Sequence, residues 1–200
     1  NIKIIITTNT KLSDLYKDGL QRERFLPFIS IIKNYSIQKE LSLKDDYRLK
    51  DLNEQQRLYY PLNESTLFMI NKNFRELTRD KKKEIKKINT KGRDFIISNF
   101  YDGILRFKFS DLCDKNLGAE DYINISNISD HIFIEEIPIF NDDNSNQQLR
   151  FITLIDILYE KKVILSLSLE SDLNNLGSSI KHVQTFKRTI SRLIELTKKN

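Results

Sequence analysis

The chain has 200 residues, 39% of them hydrophobic and 10% aromatic, enough to bury a sizeable core and too apolar for a disordered tail. Lysine and arginine number 33 against 28 acids, a net charge of +5 that permits contact with nucleotides, nucleic acid or anionic lipid and specifies none of them. The single cysteine, Cys113, excludes an intrachain disulfide, and no apolar run approaches the roughly 20 residues of a membrane-spanning helix.

"IKIIITT", Ile2 to Thr8, is a continuous β-branched run of the kind a parallel sheet covers on both faces. The chain begins on this strand with Asn1 rather than methionine, and so reads as a fragment with sequence upstream. Ser13 is placed to cap a short helix through Leu15 and Tyr16, which Gly19 ends. Phe25, Phe28, Ile29 and Ile32 recur at helical spacing, with Pro27 tolerable only in a first turn. "YSIQKELSL" alternates like a strand, so the opening reads strand, helix, strand, an α/β signature.

A turn is expected around Pro61 and a helix over Leu67 to Lys83. "DFIIS" and "GILRFKF" read as two strands of a small antiparallel unit near Gly92 and Gly103. Helices follow near Asp111 and over Ala119 to Ser126. "HIFIEEIP" reads as a buried strand, "DDNSNQ" as a loop, "LRFITLIDILYEK" as a helix and "VILSLSL" as a strand. A final helix, Ser179 to Lys198, carries an apolar stripe from Val183 to Ile194.

Five glycines and no G-x-x-x-x-G-K-[ST] segment leave these residues without a phosphate cradle of the P-loop kind. "IFIEEIP" imitates a strand that ends in magnesium-binding acids, but without that cradle Glu135 and Glu136 read as ordinary strand-end charges. His131 and His182 have no partners at ligand spacing, so no metal site is expected. Cys113 has no base nearby and reads as a small buried side chain. Asn9 ends the first strand, where α/β sheets collect ligands. Arg188 and Arg192 stand one helical turn apart and suit a phosphate or a solvated face. The Lys81 to Lys87 run reads as a solvated helix end or loop, with contact to nucleic acid or lipid as the sharper option.

The motifs align in order with a known family. "TTN" (Thr7 to Asn9), "GLQRERFLPFI" (Gly19 to Ile29), "DYR" (Asp46 to Arg48) and "GR" (Gly92–Arg93) come first. "FKFSDLCDKNLGAEDY" (Phe107 to Tyr122), "RFITLIDILYE" (Arg150 to Glu160) and "FKRTISRLIEL" (Phe186 to Leu196) follow. Over nearly its whole length the chain resembles the C-terminal portion of the AFG-like, ZapE-type ATPases, which are P-loop proteins of the AAA+ type. The resemblance implies an α/β fold with a small antiparallel β insertion and a C-terminal helix. It implies that residues 1–49 end the ATPase core, that 50–108 form an accessory helix and small β unit, and that 109–200 form a C-terminal α/β and helical part.

The same resemblance makes Asn9 a sensor facing the γ-phosphate and the attacking water. It makes Arg22 an arginine finger reaching a neighbouring subunit, and Arg188 and Arg192 a pair near the nucleotide. ATP and Mg²⁺ would be held mainly by residues upstream, and the chain alone is expected to be inactive. A homo-oligomer and a protein partner are implied, with cytoplasmic or mitochondrial placement and room for peripheral membrane association, but no part for nucleic acid. The alternative reading, motivated by the charge clustering and the missing cradle, is a non-enzymatic basic module contacting nucleic acid through Lys81 to Arg93.

Overall fold

The computed structural model describes residues 8, 10–17, 19, 21–37 and 57–199. Two compact units divide the chain, Asn1–Asp46 and Tyr47–Asn200. Asn9, the strand expected over Ile2 to Thr8 except for its last residue, and the part of "YSIQKELSL" past Ile37 lie outside the described residues.

In the first unit a 3-10 turn, Leu12–Asp14, precedes helix α1, Arg22–Tyr35. Ser13 lies inside the turn and does not cap it; Lys11 holds the cap position. Pro27 stands in the second turn of α1 and not in the first. Its ring leaves the Glu23 carbonyl without the usual helical donor. The rings of Tyr16, Phe25 and Phe28 pack in series, with centroids 5.6 and 5.2 Å apart. Tyr35 closes α1 where the sequence pattern expects a strand to open.

The second unit runs β1 (Leu58–Tyr59), α2 (Glu64–Thr78), β2 (Glu84–Thr90), β3 (Arg93–Tyr101) and β4 (Ile104–Lys108). Helices α3 (Phe109–Cys113) and α4 (Ala119–Asn127), strand β5 (His131–Ile137), helix α5 (Ser145–Glu160), strand β6 (Ile164–Leu169) and helix α6 (Val183–Thr197) complete it. The strands form one six-stranded sheet in the order β1-β6-β5-β4-β3-β2. Strands β1, β6, β5 and β4 are parallel, and β3 and β2 extend the sheet antiparallel.

The two antiparallel connections are two-residue loops. Lys91-Gly92 and Asp102-Gly103 all have positive φ, the geometry of type I′ turns, whose twist matches the flanking strands. A Cβ on Gly103 would also lie 2.2 Å from the Asp130 carboxylate. The basic run is corrected here: from Glu84 onward it is neither helix end nor loop but edge strand β2. Its Lys86 and Lys87 pair with Glu84 and Asp94 at 2.8 and 2.7 Å.

Side chains alternate across the parallel strands and give the two faces different chemistry. Leu105, Phe107, Ile132, Ile134, Leu165 and Leu167 join one apolar core with Phe151, Leu154 and Leu158 of α5 and Phe186 and Leu193 of α6. On the other face, Ile104 and Phe133 meet Ile70 and Phe74 of α2 in a small second cluster. Asn63 starts α2 with a reciprocal cap: its Oδ1 accepts the Thr66 N–H at 2.9 Å, and Thr66 Oγ1 accepts the Asn63 N–H at 3.1 Å.

The α2 face buries charge. Arg106 of β4 forks onto both carboxylate oxygens of Glu135 on β5, donates to Asn71 of α2 at 2.6 Å and lies over the Phe74 ring. Glu135 is therefore a buried, paired group and not a solvated strand end. Glu136 points outward with φ 61°, and its carboxylate meets Lys108 at 2.7 Å. Removing one partner of a buried pair strands the other charge. Glu135→Ala is expected to cost about 3–5 kcal/mol of folding stability, and the double change Arg106→Leu with Glu135→Leu far less, as measured by urea unfolding.

Candidate functional site

Arg22 occupies the first turn of α1, at the end of "GLQR". The local sequence does little for the helix. Gln21 sits at the N-cap with φ 60°, a left-handed conformation costly for a side chain, and makes no capping hydrogen bond. A cation in the first turn also opposes the helix dipole. The Arg22 Nη2 donates to the Ser13 carbonyl at 2.9 Å, which ties the side chain back to the 3-10 turn. Its Nε is buried and bonds to no described residue. Of the guanidinium's five donors one holds the Ser13 carbonyl and the Nε donor is sealed from solvent, so contact with an oxyanion is left to the remaining Nη donors. Gly19 lets the Tyr16 ring lie close over the chain: a Cβ there would lie 2.2 Å from that ring and displace it. Arg24, two residues on, is exposed.

In the second unit Arg188 and Arg192 on α6 share one carboxylate, Asp156 of α5. The two contacts are not equivalent. Arg188 reaches Asp156 Oδ2 at 2.8 Å and leaves 58% of its side chain exposed. Arg192 binds Asp156 Oδ1, approaches Glu160 at 3.7 Å, lies over the Tyr159 ring at 4.7 Å and is only 18% exposed. Asp156 escaped the sequence reading. The available signal was a lone acid within "FITLIDIL", in a helix otherwise apolar at its core positions.

The remaining titratable groups have structural settings. His131 is buried, stacks on Phe133 and shares a 2.9 Å hydrogen bond with Ser166. Burial, and then the charge of Arg57, push its pKa from 6.5 down to about 4. Cys113 is fully buried, and burial raises its thiol well above the ordinary range, which suppresses the thiolate. Its carbonyl accepts Arg150 Nη1 at 2.9 Å, which joins α3 to α5. Arg93 reaches the buried Asp121 at 3.0 Å, and that carboxylate also accepts the Gly118 N–H at the start of α4. Among the described residues no three histidine, cysteine, aspartate or glutamate side chains gather as metal ligands.

A family profile described as AFG1-like ATPase matches residues 1–200. The chain belongs to the AFG1-like ATPase family. It is 32% identical over 178 residues to lactation elevated protein 1 homolog B of Danio rerio, covering 88% of this chain and 35% of that protein. It is 28% identical over 195 residues to cell division protein ZapE of Escherichia coli, covering 98% of this chain and 52% of that one. The chain thus spans about a third to a half of the relatives it matches. No solved structure matches it.

Two outcomes test these settings. Between pH 6.5 and 4 the unfolded chain binds a proton at His131 that the folded chain refuses, so stability falls as pH drops through that window and levels off below it. The loss is on the order of 3 kcal/mol, and replacing His131 with Phe should remove that part of the slope in urea titrations. Arg188→Ala should cost under about 1 kcal/mol, whereas Arg192→Ala should cost about 2 kcal/mol, because only Arg192 is largely desolvated.

Proposed function

We propose that the protein carrying this chain hydrolyses ATP at the boundary between neighbouring subunits of a homo-oligomer, and that Arg22 acts on the nucleotide of the next subunit. The observation that carries this reading is the state of Arg22. Its guanidinium is anchored through one nitrogen, its Nε is buried without a described partner, and it heads a helix that the flanking residues do not favour. Residues that break local rules without a local gain point to function. Family membership supplies the reaction class.

In phosphoryl transfer, charge builds on the equatorial oxygens of the transferred group. A rigid, always-charged fork of donors fits those oxygens better than an ammonium does. In this reading Asn9 orients the attacking water, and Arg188 and Arg192 lie toward the nucleotide. Asp156 already pairs with both arginines, so a phosphate would compete with that carboxylate. ATP supplies the reacting phosphoryl group, and Mg²⁺ is assigned to residues outside the described part.

The hydrolysis cycle would serve to move or remodel a protein partner, in the cytoplasm at the inner face of the membrane or, in a eukaryote, in the mitochondrion. The name of the Escherichia coli relative, cell division protein ZapE, supports a division-linked partner. The nucleic-acid reading has less support, because Lys81, Lys86, Lys87 and Lys91 each face a carboxylate within 3.0 Å.

In the full-length protein, Arg22→Ala should lower turnover by roughly 10³- to 10⁵-fold while ATP binding persists, and Arg22→Lys should not restore it. Steady-state hydrolysis alongside nucleotide titration reads both. Unchanged turnover would remove Arg22 from the reaction.

A further inference from the structure

Helix α2 buries a narrow stripe, Ile70, Phe74 and Thr78, and turns a second chemistry outward. Phe68, Lys72, Arg75 and Arg79 follow at steps of four, three and four residues, which sets them in one row along the helix. Phe68 is 66% exposed on that row. With Glu76 these four side chains line an open cavity of about 340 Å³. Leu62, Leu67 and Met69, all exposed, lie at the same end of the helix as Phe68. Lys82 and Lys83, also exposed, follow its other end.

The arginines of this row differ from most others in the unit. Lys81, Lys86, Lys87 and Lys91 are matched by acids, and Arg93, Arg106, Arg188 and Arg192 each hold a carboxylate. No hydrogen bond or ion pair joins Arg75 or Arg79 to another described residue, and Lys72 has only Glu76 at 4.0 Å. A soluble surface seldom gains from setting a phenylalanine and a methionine beside unmatched arginines.

We propose that the outward face of α2 is a docking surface for an anionic phospholipid bilayer. Phe68 and Met69 enter the boundary of the acyl chains, and Lys72, Arg75 and Arg79 meet the phosphate headgroups. Two features favour lipid over nucleic acid. The apolar side chains beside the row include non-aromatic Leu62 and Met69, which offer no stacking plane for a base. The cations also stand beside this apolar group, the arrangement of interfacial helices, and do not form a long groove. This surface is independent of Arg22 and of the hydrolysis reading.

Flotation of the full-length protein tests it with two kinds of vesicle, phosphatidylcholine alone and phosphatidylcholine mixed with phosphatidylglycerol. Binding is expected only to the mixed vesicles, and it should weaken as salt rises. Arg75→Ala with Arg79→Ala should lower partitioning by roughly 30-fold. Phe68→Ser should lower it by about 10-fold or more without a change in melting temperature, since Phe68 supports no core. ATP turnover should be unaltered in both variants. Equal binding to neutral vesicles, no binding to either, or binding indifferent to both changes would overturn the proposal. So would binding of single-stranded RNA through these residues in the absence of vesicle binding.

Discussion

Strands β4, β5 and β6 run parallel through the middle of the sheet, and parallel strands must be covered on both faces. The second unit follows from how unevenly it meets that demand. Helices α5 and α6 cover one face with a continuous apolar core. Helix α2 covers the other with two large apolar side chains, Ile70 and Phe74. The polar groups buried on that second face therefore need partners of their own. Arg106 forks onto Glu135 and reaches Asn71, His131 meets Ser166, and Ser168 Oγ accepts the Glu136 N–H at 2.9 Å. Each group is satisfied by a residue on a neighbouring element, so these contacts fix where the strands and α2 lie.

The same division explains which parts of the molecule carry charge outward. On the core side, Asp156 draws two arginines of α6 onto α5 and turns cations into a helix-to-helix brace. On the α2 side the helix is thin cover, and its outer row leaves Arg75 and Arg79 unmatched by described residues. In the first unit the single bond from Arg22 to Ser13 positions a guanidinium without exhausting it. One residue type thus serves three ends, set by how many of its donors the fold consumes.

Much of the second unit was legible in the sequence. The apolar runs at "HIFIEEIP" and "VILSLSL", the glycines of two I′ turns and the helical stripe of α6 announced their elements, because local pattern and tertiary role agree there. Strand β2 was hidden. "EIKKINT" carries two lysines, and only its place at the sheet edge, with Ile88 against the core, makes it a strand. Pro27 misled in the same way, since α1 accepts a lost hydrogen bond that propensity alone forbids. For the candidate site, Arg22 was named through the resemblance of "GLQR". The sharing of Asp156 joins residues 32 and 36 apart in sequence, which no spacing rule reveals.

Subunit mixing decides whether Arg22 works across a subunit boundary. Full-length protein carrying Arg22→Ala is combined with full-length protein that keeps Arg22 but cannot bind ATP, and hydrolysis is followed as the ratio varies. Two inactive preparations are expected to recover turnover on mixing, because an intact Arg22 from one copy completes the ATP-filled site of the other. Mixtures that stay as inactive as their parts, while forming mixed oligomers, would contradict it.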